Sequence, residues 1–281
     1  MRAEPVTDPV CYHAEGPVWW PTWGLRWVDM LAGDVLTLRP DGEPTRTHVG
    51  TVVACLRPRE GGGAVLALER AVASTRRDDL TELTVGPTFV PEGIRLNEGG
   101  CDPDGRLWVG SMAYDQRPDA ATLYVVDDAL AARPALDPVT VSNGIVWSPD
   151  GATGYYADTA THQVISFPYA GTPAIQDPRT LVDLGRDGSP DGLAVDAEGG
   201  VWMAMNGDGE VRRYTPQGRL DEVVQVPARQ VTACTFGGDD LGTLYITTSR
   251  EGLDDGEDPL AGGVCAIRPG VAGLPALTWR G

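Results

Sequence analysis

The segment DPDGRLWVGSM, residues 102–112, decides the reading of the whole chain: a turn of Asp, Pro and Gly runs directly into a strand of apolar and aromatic residues. Five other stretches repeat the design. PTWGLRWVDM (21–30), EGGGAVLALER (60–70), SPDGATGYYADT (148–159), DAEGGVWMAMN (196–206) and GDDLGTLYITTS (238–249) each set a glycine before such a strand. The turn glycines Gly24, Gly62, Gly105, Gly151, Gly199 and Gly242 are 38, 43, 46, 48 and 43 residues apart. Spacings of about 40 to 50 residues belong to four-stranded propeller blades. The 281 residues are therefore expected to form one all-β domain, residues 1–281, folded as a six-bladed β-propeller with four-stranded blades.

The register inside the repeats supports this. Three positions after the turn glycine stand Trp27, Val65, Trp108, Trp202 and Tyr245, and the fourth repeat places Tyr155 one position later. A large side chain at one fixed strand position suits a sheet covered on both faces by neighbouring blades, so these aromatics are read as core. The ring is expected to close through its termini. GGVCAI (262–267) supplies a strand after the sixth repeat, and the N-terminal PVTDPVCYH adds the last one, confined by Pro5 and Pro9 to an edge. Helical periodicity is scarce, and its best candidate, LTELTVG (80–86), is cut short by Gly86 and Pro87.

Composition narrows the function. With 40 acidic against 22 basic residues the net charge is −18, which disfavours nucleic acid and anionic membrane as partners. The opening MRAEPVTDPV carries no apolar leader and no window is apolar enough to span a bilayer, so a cytoplasmic monomer is expected. Cys11, Cys55, Cys101, Cys234 and Cys265 are scattered without metal or redox spacing and read as small buried residues.

Counting eight residues back from each turn glycine gives Asn97, Asn143 and Asp191 in the third to fifth repeats and, with one residue of slippage, Glu15 in the first. The second and sixth give Ala54 and Cys234. All four polar residues sit at the entrance to an apolar strand, in EGPVWW, NEGGCD, NGIVWS and DGLAVD. An isolated Asn-Gly or Asp-Gly is more often a turn. If those strands are innermost, however, the side chains converge at one mouth of the central channel, where they repel or go unsatisfied unless bridged. A divalent cation held by Glu15, Asn143 and Asp191 bridges them. Three oxygens with no Cys or His make a hard site, with positions left open for water and substrate. His13, His48 and His162 share no phase and are read as structural, His13 lying close enough to Glu15 to touch the site.

The chain resembles the regucalcin (senescence marker protein) and gluconolactonase family of six-bladed propellers from about Glu15 to Ala266. The resemblance rests on EGPVWW, RLNEGGCDPDGRLWVGSM, VSNGIVWSPDG, SPDGLAVDAEGGVWMA, TACTFGGDDLGTLYITTSR and AGGVCAI. It implies a divalent metal on Glu15, Asn143 and Asp191, substrate contacts from Arg95 and Asn97, and a weaker one from Asp115. It also implies hydrolysis of a small-molecule sugar lactone to the aldonic acid. In that reaction Asp191 serves as the catalytic proton acceptor, with metal-activated water as the rival, Arg95 steadies the oxyanion and Asn97 orients a ring hydroxyl. The metal is left open among Ca²⁺, Mn²⁺, Zn²⁺ and Fe²⁺. Hydrolysis of other esters or phosphoesters, or non-catalytic calcium binding, are the alternatives.

Overall fold

Each repeat folds into one antiparallel sheet of four strands, and the six sheets stand as blades around a common axis. The computed structural model describes residues 1–39, 43–186 and 188–281. The strand before each Asp/Gly turn is the innermost of its blade: Ala14–Trp20, Val53–Pro58, Ile94–Cys101, Ser142–Trp147, Pro190–Val195 and Val231–Gly237. These six lie against one another around the ring. Burial falls outward. In the third blade Ile94–Cys101 and Leu107–Ala113 are buried along their whole length, whereas the outermost Ala132–Val139 is mostly open to solvent. That gradient is why the second strands, such as Leu107–Ala113 and Val201–Met205, are buried along their whole length, while the innermost strands keep polar residues at their entrance.

The aromatic position belongs to the second strand of each blade, and it welds blade to blade. Trp27, Trp108 and Trp202 are at most 1% exposed. The Trp108 ring meets Trp147 of the fourth blade edge-on at 5.9 Å, and Trp202 meets Phe236 of the sixth at 5.7 Å. Such pairs add about 0.5–1.5 kcal/mol each beyond the area they bury. The indole N–H groups of Trp108 and Trp202 donate to Asp102 and Asp196, the first residues of the turns, at 2.8 Å. The same carboxylates accept the turn N–H groups of Arg106 and Gly200. The Asp of the motif thus fixes both the turn and the core side chain above it.

The ring closes through its N-terminus in the sixth blade as the sequence predicts, but the closing strand is two residues that reach only the start of the expected stretch rather than its length. Glu4–Pro5 is the outermost strand of the sixth blade and pairs with Val264–Ile267, so that Pro5, opposite Cys265, sits where no further strand needs its missing N–H. The helical candidate does not form: Thr84–Val85 is the outer strand of the second blade, and among the described residues the helices are two 3₁₀ turns, Met30–Ala32 and Thr159–Thr161. Among the described residues no helix is long and apolar enough to cross a membrane.

The six blades do not use the whole chain. After the last strand the C-terminal segment runs beneath the ring, on the side of the Asp/Gly turns. Gly273 bridges to Asp196 of the fifth blade and Trp279 to Arg59 of the second. Trp279 is 1% exposed, and Arg280 N donates to Gly105 O of the third blade. The segment passes over a cavity of about 480 Å³ in the lower channel, where Leu274 and Leu277 face Ile145, Leu193 and Phe236.

Candidate active site

All six innermost strands slip by one residue against their neighbours at the same level. The slips fall between Glu15 and Val18, Val53 and Cys55, Leu96 and Gly99, Ser142 and Ile145, Pro190 and Leu193, and Val231 and Ala233. A β-bulge re-aims the residues within it. Here the bulges sit at the entrance of each inner strand, so the Asn-Gly and Asp-Gly pairs are bulges rather than hairpin turns. Their glycines are required by the ring: a Cβ on Gly144 stands 2.5 Å from Leu193 N, and one on Gly192 stands 2.4 Å from Ala233 Cβ.

The bulges bring Glu15, Asn97, Asn143 and Asp191 to the axis from four blades, each at most 4% exposed. Ala54 contributes no polar group from the second blade. In the sixth blade the ladder puts Thr232 at this level in place of Cys234, because the bulge there comes two residues earlier than the count. The Thr232 hydroxyl is already used, donating to Ala14 O at 2.6 Å.

Two buried oxygens in the cluster have no hydrogen-bond partner among the described residues. Asn143 Nδ2 donates to Thr159 Oγ1 at 3.0 Å, and Thr159 in turn donates to Pro190 O at 2.7 Å, which fixes the amide and leaves Asn143 Oδ1 buried and unpaired. Asp191 Oδ2 accepts from Asn206 Nδ2 at 2.9 Å, which leaves Asp191 Oδ1 buried and unpaired. Glu15 Oε2 accepts only from Gly16 N, at 3.0 Å. Burial first, then the charges of Asp191 and Glu98, raise the Glu15 carboxyl well above its ordinary range. Burial likewise pushes Asp191 up to about 7, against the lowering pull of the Asn206 amide. Orphaned lone pairs beside carboxylates that resist ionisation are what a bound cation relieves. Among the described residues no three His, Cys, Asp or Glu side chains form a ready ligand set. The set reaches three only through the Asn143 amide, and it consists of oxygens alone, so it fits a hard divalent ion.

Glu98 is a third acid in the cluster, one that the counting passes over. The third-blade bulge turns two consecutive residues inward, and where the other polar bulges follow with Gly16, Gly144 and Gly192, this one carries a side chain. Its Oε1 accepts from Gly99 N and from Arg57 Nη2, both at 2.7 Å. Arg57 Nη1 also donates to Leu56 O at 2.7 Å and to Gly16 O at 3.3 Å. The second blade, which lacks a polar bulge residue, supplies this buried cation three residues further along. The signal for Glu98 was its place beside Asn97 in RLNEGG.

Arg95 and Asn97 form the next layer. Arg95 Nη1 donates to Asn97 Oδ1 at 2.6 Å, and Asn97 Nδ2 donates to Ser142 O at 2.9 Å, so both ends of the amide are engaged. Burial lowers the Arg95 pKa from its ordinary value, opposed first by Glu251. His13 lies on the same side, with Nδ1 2.7 Å from Ser249 Oγ, and burial together with Arg95 lowers its pKa to about 3, which keeps the imidazole neutral. Asp115 does not join the cluster. Its carboxylate is exposed and accepts from Arg117 at 2.8 Å, while the neighbouring Tyr114 ring lies 5.9 Å from the Arg95 guanidinium.

Residues 13–250 match the family described as the SMP-30/Gluconolactonase/LRE-like region. A 6-deoxy-6-sulfogluconolactonase from Pseudomonas putida is 36% identical over 274 residues, covering 93% of this chain and 94% of that one. Regucalcin from Danio rerio is 34% identical over 284 residues, covering 95% and 94%. A solved structure of a calcium-binding regucalcin from Agrobacterium tumefaciens shares the fold with a TM-score of 0.92 at 28% identity, over 99% of this chain and 98% of that one. The match takes in residues of every blade, and the chain belongs to the SMP-30/gluconolactonase/LRE-like family.

Proposed function

We propose that this protein is a divalent-metal-dependent hydrolase that opens a sugar lactone to its aldonic acid, acting as a cytoplasmic monomer. The observation that carries the reading is the pair of orphaned oxygens, Asn143 Oδ1 and Asp191 Oδ1, each with its other terminus pinned by a neutral partner: Asn143 Nδ2 donates to Thr159 Oγ1, and Asp191 Oδ2 accepts from Asn206 Nδ2. Glu15, Asn143 and Asp191 would hold the ion. When bound, the metal supplies Lewis acidity, polarising the lactone carbonyl and acidifying water. The five cysteines are free and buried, in keeping with a reducing compartment.

The side chains then divide the work. Water attacks the carbonyl carbon and its proton passes to Asp191 Oδ2, whose remaining lone pair lies beside the Asn206 amide. Arg95, held in place by Asn97, faces the developing oxyanion. Collapse breaks the bond to the ring oxygen, which takes the proton back from Asp191, leaving a hydroxy acid. Asn97 retains one lone pair and one N–H for a ring hydroxyl. Asp115 enters this scheme only if its loop turns inward and releases Arg117.

The test is hydrolysis of a panel of pentono- and hexonolactones after chelation and add-back of Ca²⁺, Mn²⁺, Zn²⁺ or Fe²⁺. Asp191→Ala and Asn143→Ala are expected to lose metal and activity together, and Arg95→Ala to keep the metal and lose turnover. Wild-type rates in Asp191→Ala would refute the mechanism. Metal binding without hydrolysis of any lactone or ester would favour a calcium-binding role instead, the property named for the Agrobacterium structure.

A further inference from the structure

The geometry points to Glu69 and Tyr114 as the residues that recognise a vicinal diol on the substrate, an inference that rests on the lactonase reading and specifies what kind of lactone the mouth selects. Tyr114 directly follows the second strand of the third blade, its N–H held by Gly93 O at 3.1 Å. Its ring is half exposed and stands over Arg95, so it borders the space in which the carbonyl is handled. The Tyr114 hydroxyl donates to Glu69 Oε1 at 2.7 Å, and Thr51 Oγ1 donates to Glu69 Oε2 at 3.2 Å. Glu69 belongs to the tight turn between the second and third strands of the second blade, and its carbonyl accepts from Leu96 N at 2.8 Å, between Arg95 and Asn97.

The carboxylate is therefore fixed at its backbone and at both oxygens. Among the described residues each oxygen has one protein donor and neither has a cation, so each keeps a lone pair for a further donor. Two adjacent hydroxyls on a ring present two donors at matching separation, whereas an unsubstituted lactone presents none. The open face of the Tyr114 ring offers a flat apolar wall for the C–H edge of the same sugar. The position one residue earlier than Asp115 thus carries the hydroxyl recognition that the family resemblance implies, weakly, for Asp115.

The experiment uses the metal-loaded enzyme and the variants Glu69→Gln and Tyr114→Phe. Two readouts are taken: KM and kcat for an aldonolactone and for δ-valerolactone, and calorimetric binding of the open-chain alditol, which requires no turnover. Losing a charge-assisted hydrogen bond corresponds to about tenfold or more in affinity. The expected result is a KM for the aldonolactone raised about tenfold in Glu69→Gln and less in Tyr114→Phe, with kcat and the δ-valerolactone parameters unchanged and alditol binding weakened in parallel. Unchanged KM and alditol affinity in Glu69→Gln overturn the inference while leaving the lactonase reading intact. An equal loss on both lactones also overturns it. A wild-type protein that hydrolyses no lactone but binds alditol in a Glu69-dependent way refutes the lactonase reading and keeps this site, and one that does neither refutes both.

Discussion

Replacing Arg57 by Met tests whether the Arg57–Glu98 pair is the keystone beneath the site. The ion pair measures 2.7 Å, and its side chains are 15% and 5% exposed. Removing the cation leaves Glu98 buried with the Gly99 N–H as its remaining donor, and strips a donor from Leu56 O and Gly16 O. Breaking a buried pair from one side costs about 3–5 kcal/mol, because one charge is left uncompensated. Replacing both partners by apolar groups removes that charge as well. The double variant Arg57→Met/Glu98→Leu is therefore expected within about 1–2 kcal/mol of wild type, so the two single losses are strongly non-additive. The assay is urea unfolding of metal-stripped protein at neutral pH, comparing midpoints at constant m. Losses that add to within about 0.5 kcal/mol would show that the two side chains do not act as a pair, and would refute the argument.

Trp279→Ala empties the place where the C-terminal segment is anchored and is expected to cost about 3–5 kcal/mol in the same assay, although no blade loses a strand. Gly192→Ala forces a methyl group to within 2.4 Å of Ala233 Cβ on the next blade, and a loss of about 1–3 kcal/mol or more is expected from overpacking, visible as a lowered unfolding midpoint. Burial pushes the Asp34 carboxyl upward, but hydrogen bonds from Arg46 at 2.5 Å and with His48 at 2.7 Å outweigh it and hold its pKa below the ordinary value. Its contribution is thus fully present above the unfolded-state pKa and disappears as pH falls through the lower folded value. The stability gap between wild type and Asp34→Asn should accordingly shrink with acidification, and a gap that widens would contradict this.

The fold was legible because its determinants are local and repeated. Asp102 and Asp196 cap a turn and hold an indole in the same seven residues, so the turn and the aromatic appear together in the chain. The closing strand was legible through Pro5, whose chemistry permits an edge. The C-terminal segment was not, since GVAGLPALTWRG has no counterpart elsewhere and Trp279 finds its partners on blades more than 150 residues away in sequence. At the site, counting reached Glu15, Asn97, Asn143 and Asp191 because bulges occur at the same level in every blade. The same bulges defeated the count at two points. They turn Glu98 inward along with Asn97, and in the sixth blade they place the buried Thr232 at this level, two residues before Cys234. Sequence separation also concealed Arg57, which acts on a residue of another blade, and Tyr114, whose side chain takes the inward direction that Asp115 does not.

The most direct test of the metal assignment is an anomalous difference map from crystals grown with Mn²⁺. One peak per chain is expected on the ring axis, within a bonding distance of about 2.0–2.6 Å from an oxygen of Glu15, Asn143 Oδ1 and Asp191 Oδ1. A peak bound by other residues, or none at saturating metal, would contradict the account.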